Sequence, residues 1–361
     1  MRPAPGKNFQ PRLVAWEVTK QCPLNCKHCR AKAASGKFSG ELTTEECYRV
    51  LDGIASFAKP IIILTGGEPM AREDIFEIAS YGTRIGLRMV MAPCGMLMNR
   101  ENTLKMKEAG VQRISLSLDG ADRMSHDSFR QVEGSFDSVI RASHLARETG
   151  LEFQINSTIT KLNYRQIGDI LDLAVSLGAV GFHPFLLVPI GRGKDLADIA
   201  IDAEEYETLL NWIYEKSLET DIQFKPTCAP HYYRIFRQRE RAAGRKVTFE
   251  THGLSAMTKG CLGGQSFAFI SNTGSVQICG FLEVEAGDIR KTDYSFRDIW
   301  ESSELFQKMR DWNGYNGRCG ICEYRSFCGG CRARAYAATG NYLDEEPYCI
   351  YQPRAENREA I

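Results

Sequence analysis

The sequence has no surplus of either charge. Lysine and arginine number 45, aspartate and glutamate 45, so the formal net charge is zero. That excludes a chain-wide electrostatic footprint for nucleic acid or for an anionic membrane. There is no apolar run of the ~18 residues that a membrane helix needs. The opening segment, MRPAPGKNFQPR, lacks the apolar core of a secretory signal. Internal repeats and low-complexity tracts are absent as well. With 43% hydrophobic and 25% charged residues in 361, the chain reads as an ordinary globular protein of one large and one smaller domain, or two medium ones. The expected compartment is the cytoplasm, where thiols stay reduced.

Cysteine, by contrast, is abundant: thirteen residues, seven of them at or beyond Cys261. In a reducing compartment such a cluster reads as metal or redox ligands before disulfides. Cys22, Cys26 and Cys29 form a C-x3-C-x2-C triplet within TKQCPLNCKHCRAKA. Three thiols are one short of a closed tetrahedral site. They suit a four-iron cluster that keeps one iron open, and an open position separates reactive metal sites from structural ones. His28 falls between two of the thiols and would need a different loop geometry to reach the same metal.

The first two-thirds of the chain alternates β-rich apolar segments (13–19, 61–67, 87–93, 113–119, 152–160, 181–189) with amphipathic helical patterns. Six such repeats predict parallel strands joined by right-handed crossovers, as an open barrel or doubly wound sheet, with ligands at the carboxyl ends of the strands. After residue 200 come an amphipathic helix and a basic segment, HYYRIFRQRERAAGRK. From 251 the chain turns Gly- and Cys-rich, with a β-hairpin turning at Asn272–Gly274. The expected division is a partial barrel over 1–210, a helical linker over 211–250 and a cysteine-rich domain over 251–361.

The triplet placed directly after a first strand resembles the radical S-adenosylmethionine (SAM) enzymes. The resemblance implies a partial (β/α)6 TIM-type barrel, with Cys22, Cys26 and Cys29 on a 4Fe–4S cluster whose open iron takes SAM. TGGEP (65–69) resembles the family's GGEP motif, which assigns Gly66, Gly67 and Glu68 to the methionine end of the cofactor. By the same carry-over Ser117 and Asp119 hold ribose or carboxylate groups. Arg130 clamps the methionine carboxylate, and Asn156 with Ser157 completes the nucleoside shell. Taken singly, each has a bland reading as turn or surface residue; their order along successive strands is what lifts them.

Cys319, Cys322, Cys328, Cys331 and Cys349, with Cys261 and Cys279 upstream, resemble the SPASM extension, which carries one or two auxiliary 4Fe–4S clusters. The extension's usual final gap is three residues, and this chain has two, Gly329 and Gly330. Which thiols share a cluster is therefore open. One grouping is Cys319, Cys322, Cys328 and Cys349 (or Cys331). The other is Cys261, Cys279 and the remaining thiol, with Cys228 as a candidate fourth or an iron left open. Cys47 and Cys94 are expected outside the clusters, Cys47 as a small hydrophobe within a helix.

Beyond the superfamily, residues 183–194, 225–234 and 328–349 resemble radical SAM enzymes that edit tetrapyrrole side chains. HCRA after the triplet is most similar to the haem b synthase branch. The implied reaction is oxidative decarboxylation of two propionates of Fe-coproporphyrin III to vinyls. The implied partners are a low-potential donor of flavodoxin or ferredoxin type and an electron acceptor, with no nucleic acid and no membrane. The alternatives are acetate removal from a sirohaem-type tetrapyrrole, a haem d1 type reaction, or maturation of a peptide. A substrate with four carboxylates on a flat macrocycle calls for local cations. Arg192, Lys194, Lys225, His231 and Arg234 are the candidates, His231 also as an iron ligand, with Tyr232 and Tyr233 covering the ring.

Overall fold

The computed structural model describes residues 9–252 and 258–354, so the first eight residues of the opening segment lie outside it. Strands β1 (Leu13–Thr19), β2 (Ile61–Gly66), β3 (Arg88–Met91), β4 (Arg113–Ser117), β5 (Glu152–Ile159) and β6 (Gly181–Leu186) pair in parallel, each with the next in sequence. This is the strand–helix repeat expected from periodicity. A seventh parallel strand, β7 (Gln223–Phe224), adds to β6. Two residues carry no readable period, which is why sequence reasoning passes over it.

The helices sit where capping chemistry puts them. For α1 (Thr44–Phe57), the Thr43 side chain accepts the Glu46 N–H while the Glu46 carboxylate accepts the Thr43 N–H. Helices α2 (Ile75–Arg84), α3 (Arg100–Glu108), α4 (Arg123–Arg130), α5 (Ser135–Thr149) and α6 (Ile167–Ser176) follow in the crossovers. The segment after β4 holds two helices, and α4 ends on Arg130. Beyond β6 come α7 (Ala203–Glu219), capped by Asp202, and α8 (His231–Ala242), which packs on it.

In β2, β4 and β5 buried residues alternate with half-buried ones. The fully buried set (Ile62, Leu64, Ile114, Leu116, Phe153, Ile155) belongs to the main apolar core. The alternate set, which includes Ser115, Ser117, Gln154 and Asn156, faces the lumen.

The cysteine-rich region supplies β8 (Phe267–Ile270), β9 (Ser275–Cys279) and β10 (Leu282–Asp288). The expected hairpin is β8–β9, and β10 extends it antiparallel. β8 then pairs in parallel with β1, Leu13 opposite Phe267 through Trp16 opposite Ile270. One ten-stranded sheet results, in the order β10-β9-β8-β1-β2-β3-β4-β5-β6-β7. Among the described residues no pairing joins β7 back to β10, so the barrel is open. No described helix is long and apolar enough to cross a membrane.

Candidate iron–sulfur and cofactor site

Cys22, Cys26 and Cys29 lie on the loop that leaves β1. Backbone bonds from Cys22 N to Ala34 O (2.9 Å) and from Ala34 N to Lys20 O (3.3 Å) close it at the base. Each thiol receives one N–H: Leu24 to Cys22 Sγ (3.4 Å), Ala33 to Cys29 Sγ (3.4 Å), and Arg130 Nη1 to Cys26 Sγ (3.6 Å). Donors aimed at sulfur are what a thiolate ligand needs. Two other elements clamp the loop. A Cβ on Gly67 would come within 2.5 Å of Gln21 O, so only glycine lets the end of β2 approach. From the far side, Arg192 donates through Nε to Cys26 O (2.8 Å) and through Nη1 to Ala33 O (2.7 Å). Arg192, expected at the substrate, braces the loop through Nε and Nη1, while its buried Nη2 has no partner among the described residues. Arg30 ties the loop onward. It pairs with Glu17 on β1 (2.8 Å) and lies over the Phe269 ring on β8.

Glu68 is fully buried and accepts the N–H groups of Met70 (2.9 Å) and Cys94 (2.5 Å). Burial pushes its carboxyl up, and the Cys94 contacts oppose that. The Cys94 thiol lies beside both Glu68 and Cys22. It holds Cys22 below the ordinary thiol range and is itself driven well above it, Cys22 being the main cause. A lone cysteine outside any spacing motif gives sequence reasoning no signal for this position. Cys47 is fully buried on α1, and burial raises its thiol to about 12.

Asp119 is buried, accepts the Thr158 N–H (2.7 Å) and pairs with Arg130 (2.5 Å). Its carboxylate therefore fixes Arg130 beside Cys26. His28 turns from the thiols to stack on Phe129, with centroids 4.3 Å apart, and to approach Asp119 (3.9 Å). Ser157 points to the buried face of β5 and donates to Leu118 O (2.5 Å), whereas its neighbour Asn156 faces the lumen. Asn156 is in register with Ser117 on one side and with His183 on the other.

Lys225, one residue past β7, falls beside His183 in the same layer. Burial alone holds its ammonium below the ordinary lysine range, with no acidic neighbour offsetting it. Gln154 Nε2 donates to Asn156 Oδ1 (3.0 Å) and faces His183 Nδ1 (2.9 Å). His183, which opens the 183–194 stretch but is not among the candidate site residues, completes a polar lumen layer of Ser117, Asn156, His183 and Lys225.

Two histidines, His126 on α4 and His183 on β6, make the fold acid-sensitive. Burial lowers His126 to about 4 and His183 to about 3, and His126 Nδ1 accepts the Asp119 N–H (3.1 Å), which requires a neutral ring. Because the folded values lie below the unfolded ~6.5, unfolding takes up protons between them. The contribution of each neutral ring is whole above pH 6.5 and is lost as pH falls through the folded value, at about 1.4 kcal/mol per pH unit per proton. Thermal midpoints of anaerobic protein should drop from pH 7 to pH 5, and drop less steeply in His183→Gln.

The remaining thiols fall into two groups. Cys319, Cys322, Cys328 and Cys349 surround one cavity, together with His231, Arg234 and Arg318. Cys331 lies against Cys228, with Cys261 and Cys279 beside it. The Cys228 contact is the main cause of the Cys331 thiol standing at about 7. Among the described residues no three His, Cys, Asp or Glu side chains converge as a single-ion site.

The buried ion pair of Arg334 and Glu346 (2.9 Å) joins these groups to the barrel. Arg334 also donates to Tyr206 Oη (2.7 Å) and Cys228 O (2.6 Å), while Glu346 accepts the Cys331 N–H (2.5 Å). His231 and Arg234 thus stand at the thiols of this cavity, away from the lumen layer where a substrate was expected. Tyr232 and Tyr233 are buried in the core, edge-on to each other, and cover no open face. Lys194 is exposed on the segment after β6.

Comparison with known proteins bears on this geometry. Residues 16–174 match the radical SAM superfamily, and residues 261–331 match SPASM, an iron–sulfur cluster-binding domain. Over 343 residues the chain is 51% identical to an AdoMet-dependent heme synthase of Methanosarcina barkeri, covering 95% of this chain and 97% of that one. The chain belongs to the radical SAM superfamily. As a radical SAM enzyme with a SPASM region it uses S-adenosylmethionine, a 4Fe–4S cluster and auxiliary iron–sulfur clusters, and the soft, N–H-supported thiols fit such groups. This radical SAM chain is 32% identical over 356 residues to the Fe-coproporphyrin III synthase of the same organism, covering 93% of this chain and 87% of that one. Its fold matches that of Streptococcus suis SuiB bound to S-adenosylmethionine, with a TM-score of 0.74 at 18% identity over 95% of this chain and 78% of the other.

Proposed function

We propose that this radical SAM enzyme forms haem b by oxidative decarboxylation of two propionate side chains of Fe-coproporphyrin III to vinyls. The observation that carries the reading is 51% identity over nearly the whole length of a heme synthase, against 32% to a Fe-coproporphyrin III synthase. A propionate C–H bond is too weakly acidic for side-chain acid–base chemistry. When bound, the reduced cluster and SAM supply a primary-carbon radical that abstracts such a hydrogen.

In this reading Cys22, Cys26 and Cys29 hold the cluster, and the loop clamps fix its place at the lumen mouth. Gly66 and Gly67 bring backbone close, Glu68 receives the methionine ammonium, and Arg130, aimed by Asp119, binds the methionine carboxylate. Ser117 and Asn156 face the nucleoside. Each decarboxylation would release CO2 and one electron, for which auxiliary clusters held by the cysteine-rich region would offer an acceptor, with an external acceptor beyond them. The electron for the radical-forming cluster would come from a low-potential donor of flavodoxin or ferredoxin type, in a reducing, cytoplasmic setting.

Lys225 supplies the charge that a substrate carboxylate requires inside the lumen, with His183 beside it. A hydrogen bond to a charged group contributes roughly 1.5–3 kcal/mol. Lys225→Met should therefore raise KM for the porphyrin about 10- to 100-fold while altering kcat less, read by steady-state kinetics under anaerobic conditions. The function itself is tested by incubating reconstituted enzyme with SAM, a reductant and Fe-coproporphyrin III. Two successive mass losses of CO2 plus two hydrogens, with one 5′-deoxyadenosine for each, are expected. Cofactor cleavage with no decarboxylated porphyrin would overturn the assignment, and loss of acetate from a sirohaem-type substrate would redirect it.

A further inference from the structure

Helix α8 carries two buried side chains with nitrogens that have no hydrogen-bond partner among the described residues. His231 is 1% exposed, and neither of its ring nitrogens has a partner among the described residues. Arg234, on the same face at i+3, is 3% exposed. Its Nη atoms are committed to Glu207 and Gln238, while Nε is unpartnered. Both side chains line the cavity ringed by Cys319, Cys322, Cys328 and Cys349.

A third donor is already engaged there, Arg332 Nη2 to Cys319 Sγ (3.5 Å). The acceptors in the cavity wall are committed elsewhere: Glu345 to Arg318 and Glu346 to Arg334. A buried donor left unsatisfied costs about 1–3 kcal/mol, so such groups mark a place where an acceptor binds. The acceptor available in this cavity is sulfur.

The other thiol group meets no free donor of this kind among the described residues. Two ionised side chains stand by Cys331, Arg334 and Glu346, and they pair with each other; Glu346 takes the Cys331 N–H and also lines the first cavity, so its charge favours neither group. The Arg334 fork is spent on Glu346, Tyr206 and Cys228 O. The Tyr315 hydroxyl, also unpartnered, stands near Cys261 as well as Cys319 and Cys328, so it favours neither group. Hydrogen bonds to sulfur and local positive charge both raise the reduction potential of an iron–sulfur cluster.

We propose that His231 and Arg234 donate hydrogen bonds to the cluster held by Cys319, Cys322, Cys328 and Cys349, and that they set its reduction potential above that of the cluster held by Cys228, Cys261, Cys279 and Cys331. The inference rests on the reading that two auxiliary clusters are present. Both residues are positioning residues. The asymmetry makes the α8-facing cluster the one on which an electron delivered to the pair comes to rest.

The test is an anaerobic potentiometric titration of reconstituted holoenzyme, followed by electron paramagnetic resonance. In the wild type, two distinct auxiliary midpoints are expected. His231→Phe should move only the higher one, in the negative direction, by about tenfold in the reduction equilibrium, or 59 mV for one electron. His231→Gln, which keeps an N–H, should restore most of the shift. A purely structural role would lower iron content and leave the midpoint of the surviving cluster unchanged.

Should both variants lose iron, the wild type labelled with 15N-histidine decides by electron–nuclear double resonance. A histidine coupling to the reduced auxiliary cluster supports the proposal, and its absence overturns it. Equal wild-type midpoints, or an unshifted Phe variant, overturn the proposal alone at the full iron content of about twelve per chain. Iron near eight per chain overturns the two-cluster reading and the proposal with it.

Discussion

Alanine at any one of Cys22, Cys26 or Cys29 should bring 5′-deoxyadenosine formation to background and remove about four irons per chain from reconstituted enzyme. Each of the three thiols has its own N–H donor, so none is a spare for another. The nearest further thiol, Cys94, is no substitute. Its backbone N–H is tied to Glu68, and its side chain lies against Glu68 and Cys22. The protein should still fold, because the loop is held by Gly67, Arg192 and the Cys22–Ala34 pairing, none of which uses sulfur. Cys47→Ala is the control. It trims a small buried side chain on α1, costs about 1 kcal/mol, and should leave iron content and cofactor cleavage intact. Iron analysis with product quantification separates the two classes. Retention of cleavage in any of the three variants would sink the radical assignment of this loop.

Arg334→Met should lower stability by about 3–5 kcal/mol, measured by anaerobic denaturation of loaded enzyme. The methionine fills the volume, but Glu346 is left as an unpaired charge with no access to water. Tyr206 and the Cys228 carbonyl lose a partner in the same stroke. The damage falls at the junction of barrel and cysteine-rich region, so if Cys228 and Cys331 share a cluster as proposed, its iron should be lost before the Cys22 loop is affected. Adding Glu346→Gln removes the stranded charge and should recover part of the loss, since replacing both partners of a buried pair costs far less than removing one. A wild-type stability for the single variant would mean that the pair contributes nothing net.

The barrel could be read from residues because its signals are local. Alternation in β2, β4 and β5, the Thr43–Glu46 cap and the triplet after β1 each need only a short window of chain. What escaped reading depends on distance. Arg192 is 166 residues from the carbonyl it braces, and its sequence context, IGRGK, looks like a cation awaiting a carboxylate. His231 and Arg234 were placed correctly on a helix, but which way that face points is decided by packing on α7 and by the thiols beyond it. Ser157 and Asn156 are neighbours, so a one-residue alternation puts one in the lumen and the other in the core. Cys94 belongs to no motif and His183 only opens a stretch picked out by resemblance, so the role of each comes from what lies across from it.

The pairing of β8 with β1 sets an order of events during synthesis. β1 is made about 250 residues before β8, and its edge opposite β2 stays bare until residue 270 has been made. An unpaired strand as apolar as this one is a template for other chains. Chains cut short before residue 267 should therefore collect as aggregates, even though every strand of the parallel barrel is present in them.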